Sequence, residues 1–552
     1  MAIASEIFET HEFHYVLLGI IIGLIAHHRV FIYGEWHIYA PQIIVSHGVT
    51  IISLLVARLW LGRSNTGLAA GTMLTVFYCY LCSLTTSIIV YRVFFHQLTR
   101  AGFAGPWYAR ISTIWHVWAA RKAKNHLILE KLYREYGDFI RTGPAEITVF
   151  HPDVFIAIDG PRTECIKSEF YDFLYPSTAL AAIRDRKLHT TRRQQWNHGL
   201  TPAALTEHNK KILGHIDMLV KIIEADAVSG SPTRMDEVLY WFSWDAMGDF
   251  VFSKPFGMLE KRQWHQLISG LRKGLFALGP LASAPWMIQC GFRLAPRVGA
   301  LKDWDNMMAW CTDLMKRSLD TDYTKDAPKD LSYYILERDN TTGGDPMAWV
   351  YGDSLQSIAA GSEPMAGTLL CLFLHLARHP RYAEKVYDEL IGIDVTDRGA
   401  LSQLIYLNAV INETMRLSPT LLTGGARKSG ENGVTIGGTY IPPHTTIIAP
   451  RWIISRREDC FEQAKEFIPE RWGIRSDMRH NPAASTPFAT GRNSCVGRQL
   501  SLDTMRCVVA KLVKKYKVRF APGETGDRVY EDMIDHFTTT YGTLALCFEL
   551  RE

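Results

Sequence analysis

The sequence predicts a mainly helical chain in two parts, an apolar N-terminal region over residues 1–100 and a larger globular part over 101–552. Three observations carry this reading. The first hundred residues hold three apolar runs of near-spanning length. Beyond them, helical periodicity recurs over long stretches, interrupted by loops and by only short strand-like segments. Near the C-terminus one cysteine, Cys495, sits between two glycines in the stretch Pro487 to Arg498, which reads PFATGRNSCVGR.

A net charge of +4 spread over 552 residues is too small to point to nucleic acid, and none is expected as a partner. The ten cysteines show no paired framework. Cys79 and Cys82 have the spacing of a redox or zinc pair but lie inside an apolar run, so they read as packing or lipid-facing residues. Free thiols fit a cytosol-facing protein.

In the N-terminal region, Phe13 to Ala26 is short for a bilayer span but extends through His27 and His28 toward Phe31. Pro41 to Ala57 is a second candidate, and Gly67 to Tyr91, without a charge, is a third. A span needs about 20 apolar residues to cross roughly 30 Å of hydrocarbon. Glu6, Glu9 and Glu12 stand where a cleavable signal would carry basic residues. Arg92, Arg100, Arg110, Arg121, Lys122 and Lys124 follow the third run, and an excess of Lys and Arg marks the cytoplasmic side. Three spans then put the N-terminus in the lumen and the globular part in the cytosol.

Leu127 to Tyr136 has helical periodicity and stops at Gly137, a natural C-cap. Ile140 to Val149 reads as a short hairpin. His189 and Arg193 share one helix face at i, i+4. Helical patterns alternate with loops from Leu205 to Arg338. Within them, Leu275 to Met287 contains two prolines and is not one helix; it lines a substrate entrance, dips into the bilayer surface, or is a plain loop. Asp353 to His375 is a long apolar helix.

In the cysteine loop, Gly491 and Gly497 permit tight turning and close approach to a flat partner, and Phe488 adds an aromatic face. A thiolate is a soft metal ligand whose charge turn N–H groups can steady. The pattern is F-x-x-G-x-x-x-C-x-G. Upstream, Glu413 and Arg416 form E-x-x-R on one helix face, and Phe467 to Trp472 reads FIPERW. These three motifs in this order resemble the cytochrome P450 family, over roughly Pro106 to Glu552.

The resemblance implies the family's mainly α fold with small antiparallel sheets, behind transmembrane helices, although the family commonly has one anchor rather than three. It implies haem b as cofactor, with Cys495 as the axial thiolate metal ligand and Phe488, Gly491, Arg492 and Gly497 around it. Arg471 joins Glu413 and Arg416 in a structural triad. His189, Arg193 and Arg427 are placed like residues that reach the haem propionates. Asn493 stands where the family usually has such an Arg or His, and Arg492, one position earlier, takes over that contact. Ala360, Gly361, Ser362, Glu363 and Pro364 align with the family's A-G-x-D/E-T. There the small pair leaves room for dioxygen and the acid relays protons, but Pro364 replaces the threonine. Ser418 to Ala426 and Thr538 to Thr540 correspond to substrate-contact regions. The implied activity is a monooxygenase of fungal secondary metabolism acting on an apolar small molecule. Its electrons come from a membrane-bound NADPH-cytochrome P450 reductase, with cytochrome b5 as an assisting donor, at the endoplasmic reticulum membrane. The alternatives are ring rearrangement, desaturation or reductase-independent isomerisation by a haem-thiolate enzyme, and a catalytically silent haem-binding membrane protein.

Overall fold

A computed structural model describes residues 2–62, 64–276, 278–319, 329–336 and 346–552. Residues 320–328 and 337–338 of the stretch expected to alternate helices and loops lie outside the described residues. Three long helices open the chain: α1 (Ala2–Ala26), α2 (Ala40–Leu61) and α3 (Asn65–Val90). Each contains or forms part of a stretch long and apolar enough to span a bilayer. Their surfaces carry exposed large apolar side chains such as Leu59 and Trp60, as a lipid-facing helix should. Small residues let α1 and α3 approach closely. A Cβ on Gly23 would lie 2.6 Å from the Tyr80 carbonyl oxygen and 2.9 Å from the Leu84 nitrogen. A Cβ on Gly19 would lie 2.7 Å from that of Cys79, so Cys79 packs against α1, while Cys82 is exposed. A fourth apolar helical stretch, Trp349–Arg378, is 78% buried against 17% or less for the other three. It is therefore a core helix.

The globular body is built around that helix, α9, once the elements before it are placed. These are α4 (Arg186–His198), α5 (Pro202–Ser229), α6 (Met235–Phe252), α7 (Gln266–Leu275) and α8 (Ala300–Leu319). The central helix α9 (Pro346–Arg378) packs on α6, α8, α10 (Ile405–Leu417) and α11 (Arg498–Lys515). Both α6 and α9 are apolar around most of their circumference, the pattern of helices enclosed on all sides. The expected helix before Gly137 is Asn125–Tyr136, ended by Gly137 at φ 84°. The Leu275–Met287 stretch is indeed broken: α7 ends at Leu275, Leu278–Leu281 forms one turn, and a new helix, Pro285–Leu294, starts on proline and packs on α2.

Strands are short. β1 (Phe139–Gly143) and β2 (Glu146–Val149) form the expected hairpin. With β3 (Ile166–Lys167), β4 (Arg427–Lys428) and β5 (Thr446–Ile448) they make one sheet in the order β1-β2-β5-β4-β3. The β2–β5 pair is parallel, which departs from an all-antiparallel expectation because its partners lie far apart in sequence. The sheet brings Lys167 and Arg427 opposite each other on neighbouring strands.

Candidate functional site

The loop before α11 is folded around Cys495. Its backbone N–H donates to the Phe488 carbonyl at 2.8 Å, closing the loop on the aromatic residue. Gly491 takes φ 60°, and a Cβ there would run into the Asp159 carbonyl, so turn and close approach both require glycine. Gly497 differs from expectation: its φ is −87°, and a Cβ would meet nothing within 4 Å. Its value is open space rather than backbone freedom. Cys495 lies deep enough that burial pushes its thiol up, opposed by the Gly497 backbone N–H, Arg193 and Arg498. Yet the residue is accessible at its surface. The sulfur side of the loop is therefore not sealed by protein.

Arg193, from α4, holds the loop from outside. Its guanidinium donates to the Ser494 carbonyl at 2.5 Å, to the Arg492 carbonyl at 3.3 Å and to Ser494 Oγ at 3.3 Å. One turn earlier, His189 is buried with Nδ1 unpartnered among the described residues. Its pKa falls to about 3, mostly through burial and then through Lys167, Arg193, Arg492 and Arg427. Burial, and then Arg427, also pushes Lys167 down to about 7. A buried concentration of cations of this kind is costly unless an anion enters it. Motif reasoning missed Lys167 because β3 is two residues long and carries no pattern.

Two expected propionate contacts sit differently. Arg427 donates through Nε to Asp159 Oδ1 at 2.7 Å and through Nη1 to the Tyr171 hydroxyl at 3.0 Å. Asn493 donates to the same Asp159 oxygen at 3.0 Å. Asp159 therefore already supplies Arg427 with a counterion inside the protein. Arg492 turns toward the Thr163 carbonyl at 3.4 Å rather than taking the slot of Asn493. Among the described residues, Lys167 and Arg451 are buried cations here without a carboxylate in salt-bridge contact: Lys167 donates to the Leu180 carbonyl at 3.3 Å and Arg451 to the Gly424 carbonyl at 3.1 Å.

Behind the loop, Glu413, Arg416 and Arg471 are completely buried. Glu413 accepts from Arg416 Nε and Nη2 at 2.8 and 2.7 Å and from Arg471 Nε at 3.0 Å. Trp472 Nε1 and the Ile468 N–H complete its shell at 2.8 and 3.0 Å. One carboxylate thus faces two guanidiniums, and the spare guanidinium donors cap backbone carbonyls of Ser455, Ala464, Glu466, Glu462 and Gln463.

The family model described as Cytochrome P450 matches residues 106–548. The chain belongs to the cytochrome P450 family. It is 31% identical over 536 residues to tryprostatin B 6-hydroxylase of Aspergillus fumigatus, covering 95% of this chain and 94% of that one. It is 32% identical over 537 residues to the cytochrome P450 monooxygenase notG' of Aspergillus versicolor, covering 95% of each. A crystal structure of the cytochrome P450DA heme domain superposes with a TM-score of 0.63 at 16% identity, covering 78% of this chain and 94% of that one. That likeness speaks for the fold.

In this P450, the face of α9 around Ala360 is open. Ala360 is exposed, and Gly361 and Pro364 are partly so, in the middle of a helix that is otherwise buried. A Cβ on Gly361 would push aside the thioether end of Met247 on α6, so the two helices meet closely here. Pro364 lies inside the helix without ending it. Glu363 is fully buried: Oε1 accepts from Trp244 Nε1 at 3.0 Å and lies 3.4 Å from Arg272 Nε, while Oε2 has no hydrogen-bond partner among the described residues. Arg272 is itself held over the rings of Tyr240 and Trp264. Trp244 and Arg272 escaped the sequence reading because helices far apart in sequence supply them. The two nearby hydroxyls are engaged. Ser362 donates to the Ile358 carbonyl at 2.8 Å, and Thr368 to the Pro364 carbonyl at 2.8 Å.

Proposed function

We propose that the chain is a membrane-anchored haem-thiolate monooxygenase that oxidises an apolar small molecule in fungal secondary metabolism. Residues 1–100 are its membrane region and 101–552 its catalytic domain. The observation that carries this reading is Cys495, deep in the protein yet accessible, in a loop clamped by Arg193 beside a buried cluster of cations. The residues present fit haem b. Cys495 would ligate the iron, Phe488 and the open side of Gly497 would border the bound group, Arg193, Lys167 and Arg451 offer the positive surroundings that propionates need, and His189 a neutral ring nitrogen. Bound there, haem supplies the activation of dioxygen that inserts one oxygen atom into an unactivated C–H bond.

The protein's own part is binding, exclusion of water and handling of protons. The open α9 face at Ala360 and Gly361 would leave room for a substrate beside the bound group. Glu363 keeps one carboxylate oxygen fixed by Trp244 and Arg272 and the other without a partner among the described residues. Proline at 364 provides no hydroxyl and cannot bond the Ala360 carbonyl through a backbone N–H. With Ser362 and Thr368 committed to backbone carbonyls, proton delivery falls to Glu363 with a water or with the substrate's own polar group. The same absence favours the second reading, rearrangement or desaturation in place of simple hydroxylation.

Electrons come from NADPH-cytochrome P450 reductase, with cytochrome b5 assisting, and the anchored protein sits in the endoplasmic reticulum membrane with its catalytic domain in the cytosol. Expression with the reductase in a host making candidate apolar precursors, followed by product analysis, tests the activity. Cys495→Ala must lose the reduced-CO absorption band of thiolate ligation; retention of that band refutes the assignment of the ligand.

A further inference from the structure

Between α1 and α2 the chain returns to the globular body instead of crossing free solvent. Glu35, in this loop, accepts from Arg184 Nη1 and Nη2 at 2.6 and 2.8 Å and from Lys428 Nζ at 2.7 Å. Lys428 is also paired with Glu169. Two residues on, buried His37 places Nε2 at 2.8 Å from Asp172 Oδ2, which accepts from Arg184 as well, at 2.7 Å. Although burial opposes ionisation, Arg184 and Lys428 hold the Glu35 carboxyl well below the usual carboxylate range. An isolated surface pair would contribute little, but this is a partly buried network with shared members. Glu35, His37 and Asp172 lie close enough to suggest a metal site. The cations of Arg184 and Lys428 already satisfy both carboxylates, so the cluster is a latch rather than a metal centre.

The latched loop lines a cavity of about 350 Å³, to which Gly34 to His37 contribute together with Gly424, Gly425 and Phe537. Trp286, in the helix that packs on α2, also lines it. The cavity therefore touches the membrane helices' side of the protein and, at the same time, reaches Ser418 to Ala426 and the edge of Thr538 to Thr540. Its lining is mixed: aromatic rings beside Ser168, whose buried hydroxyl has no partner among the described residues, and beside His37, whose Nδ1 has none.

We propose that the loop joining the first two spans, residues 32–39, is a wall of the vestibule that admits substrate from the bilayer, with Glu35 latching it and Trp36 and His37 determining specificity. This rests on the haem-thiolate reading above. The molecule it suits is largely apolar, matching the rings of Trp36, Trp286 and Phe537 among the lining residues. The loop belongs to the extra spans, so a single-anchor relative would lack this wall.

The test uses the full-length enzyme in lipid nanodiscs. Zero-length carbodiimide coupling should yield a Glu35–Lys428 cross-linked peptide by mass spectrometry, absent from Glu35→Gln. Stopped-flow haem absorbance then follows binding of two iron-ligating probes, bulky clotrimazole and small imidazole. Glu35→Ala and Trp36→Ala should change the clotrimazole association rate several-fold while leaving imidazole affinity and the reduced-CO band as in the parent. Absence of the cross-link in the parent enzyme, or unchanged clotrimazole kinetics in both variants, overturns the inference. If Glu35→Ala fails to fold, Trp36→Ala and the parent cross-link still decide it. Absence of the reduced-CO band from the parent would instead refute the haem reading itself, a result distinct from flat probe kinetics in a loaded enzyme.

Discussion

Removing Glu413 should do more damage than removing either of its arginines, and the reason is charge balance. Glu413→Ala strands two guanidiniums, Arg416 and Arg471, in a completely buried site with no carboxylate partner. Breaking a buried pair by deleting one member costs about 3–5 kcal/mol, and here two partners are stranded at once. Arg471→Ala leaves a neutral Glu413–Arg416 pair still bonded through two nitrogens and frees the Glu462 carbonyl, while the Gln463 carbonyl keeps the Glu466 N–H at 3.0 Å. Arg416→Ala leaves a neutral Glu413–Arg471 pair, but frees three carbonyls, those of Ser455, Ala464 and Glu466. Each buried acceptor left unsatisfied costs about 1–3 kcal/mol. The expected order of destabilisation is therefore Glu413→Ala, then Arg416→Ala, then Arg471→Ala.

Against a typical total stability of about 5–15 kcal/mol, the first of these consumes most of the margin. The assay is haem content per protein from the reduced-CO difference spectrum, with thermal unfolding of whatever loads. Glu413→Ala should yield almost no loaded protein, and Arg471→Ala a reduced but measurable fraction. Full haem content and unchanged unfolding temperature in Arg416→Ala, or an inverted order, would refute the charge-balance argument.

Pro364→Thr should alter product distribution or peroxide leakage while leaving haem binding intact; identical products and leakage would show that the missing hydroxyl has no mechanistic consequence. Burial raises the Glu146 carboxyl from 4.5 to about 7, with the Thr142 hydroxyl opposing at 2.9 Å. The fold thus keeps a proton that the unfolded chain releases, so this group's contribution is complete below pH 4.5 and is lost as pH rises to about 7. Glu146→Gln should therefore stabilise the protein above pH 7, by on the order of 3 kcal/mol at most, with the gain vanishing toward pH 4.5 in chemical denaturation. In sealed microsomes, external protease should digest the haem domain, and an epitope placed before Phe13 should stay protected, because three spans put the two on opposite faces; protection of the haem domain would reverse this topology.

What the sequence revealed and what it hid divide along sequence distance. The E-x-x-R pair, the PERW turn and the glycine-bracketed cysteine are chemistry compressed into a few residues, and the apolar spans and α9 are periodic over many. The structure pairs Glu413 with Arg416 and Arg471. Arg427 shows the limit. Its slot implied a cofactor contact, but Asp159, 268 residues away, takes its Nε at 2.7 Å. No local pattern announces such a partner, because Asp159 comes from the end of a separate helix, Val154–Asp159. The acid of α9 gives the same lesson. Its position in the motif was plain, while Trp244, 119 residues earlier, decides which oxygen is fixed and which is left available. Departures inside a motif were legible, yet their consequences depended on packing. Asn493 and Pro364 could be read directly, whereas only the fold shows that Asn493 reinforces Asp159 and that Ser362 and Thr368 have already spent their hydroxyls. Under the proposed haem-thiolate reading, the hydrogen bonds that engage Ser362 and Thr368, which the motif does not contain, leave Glu363 as the proposed acid past Pro364.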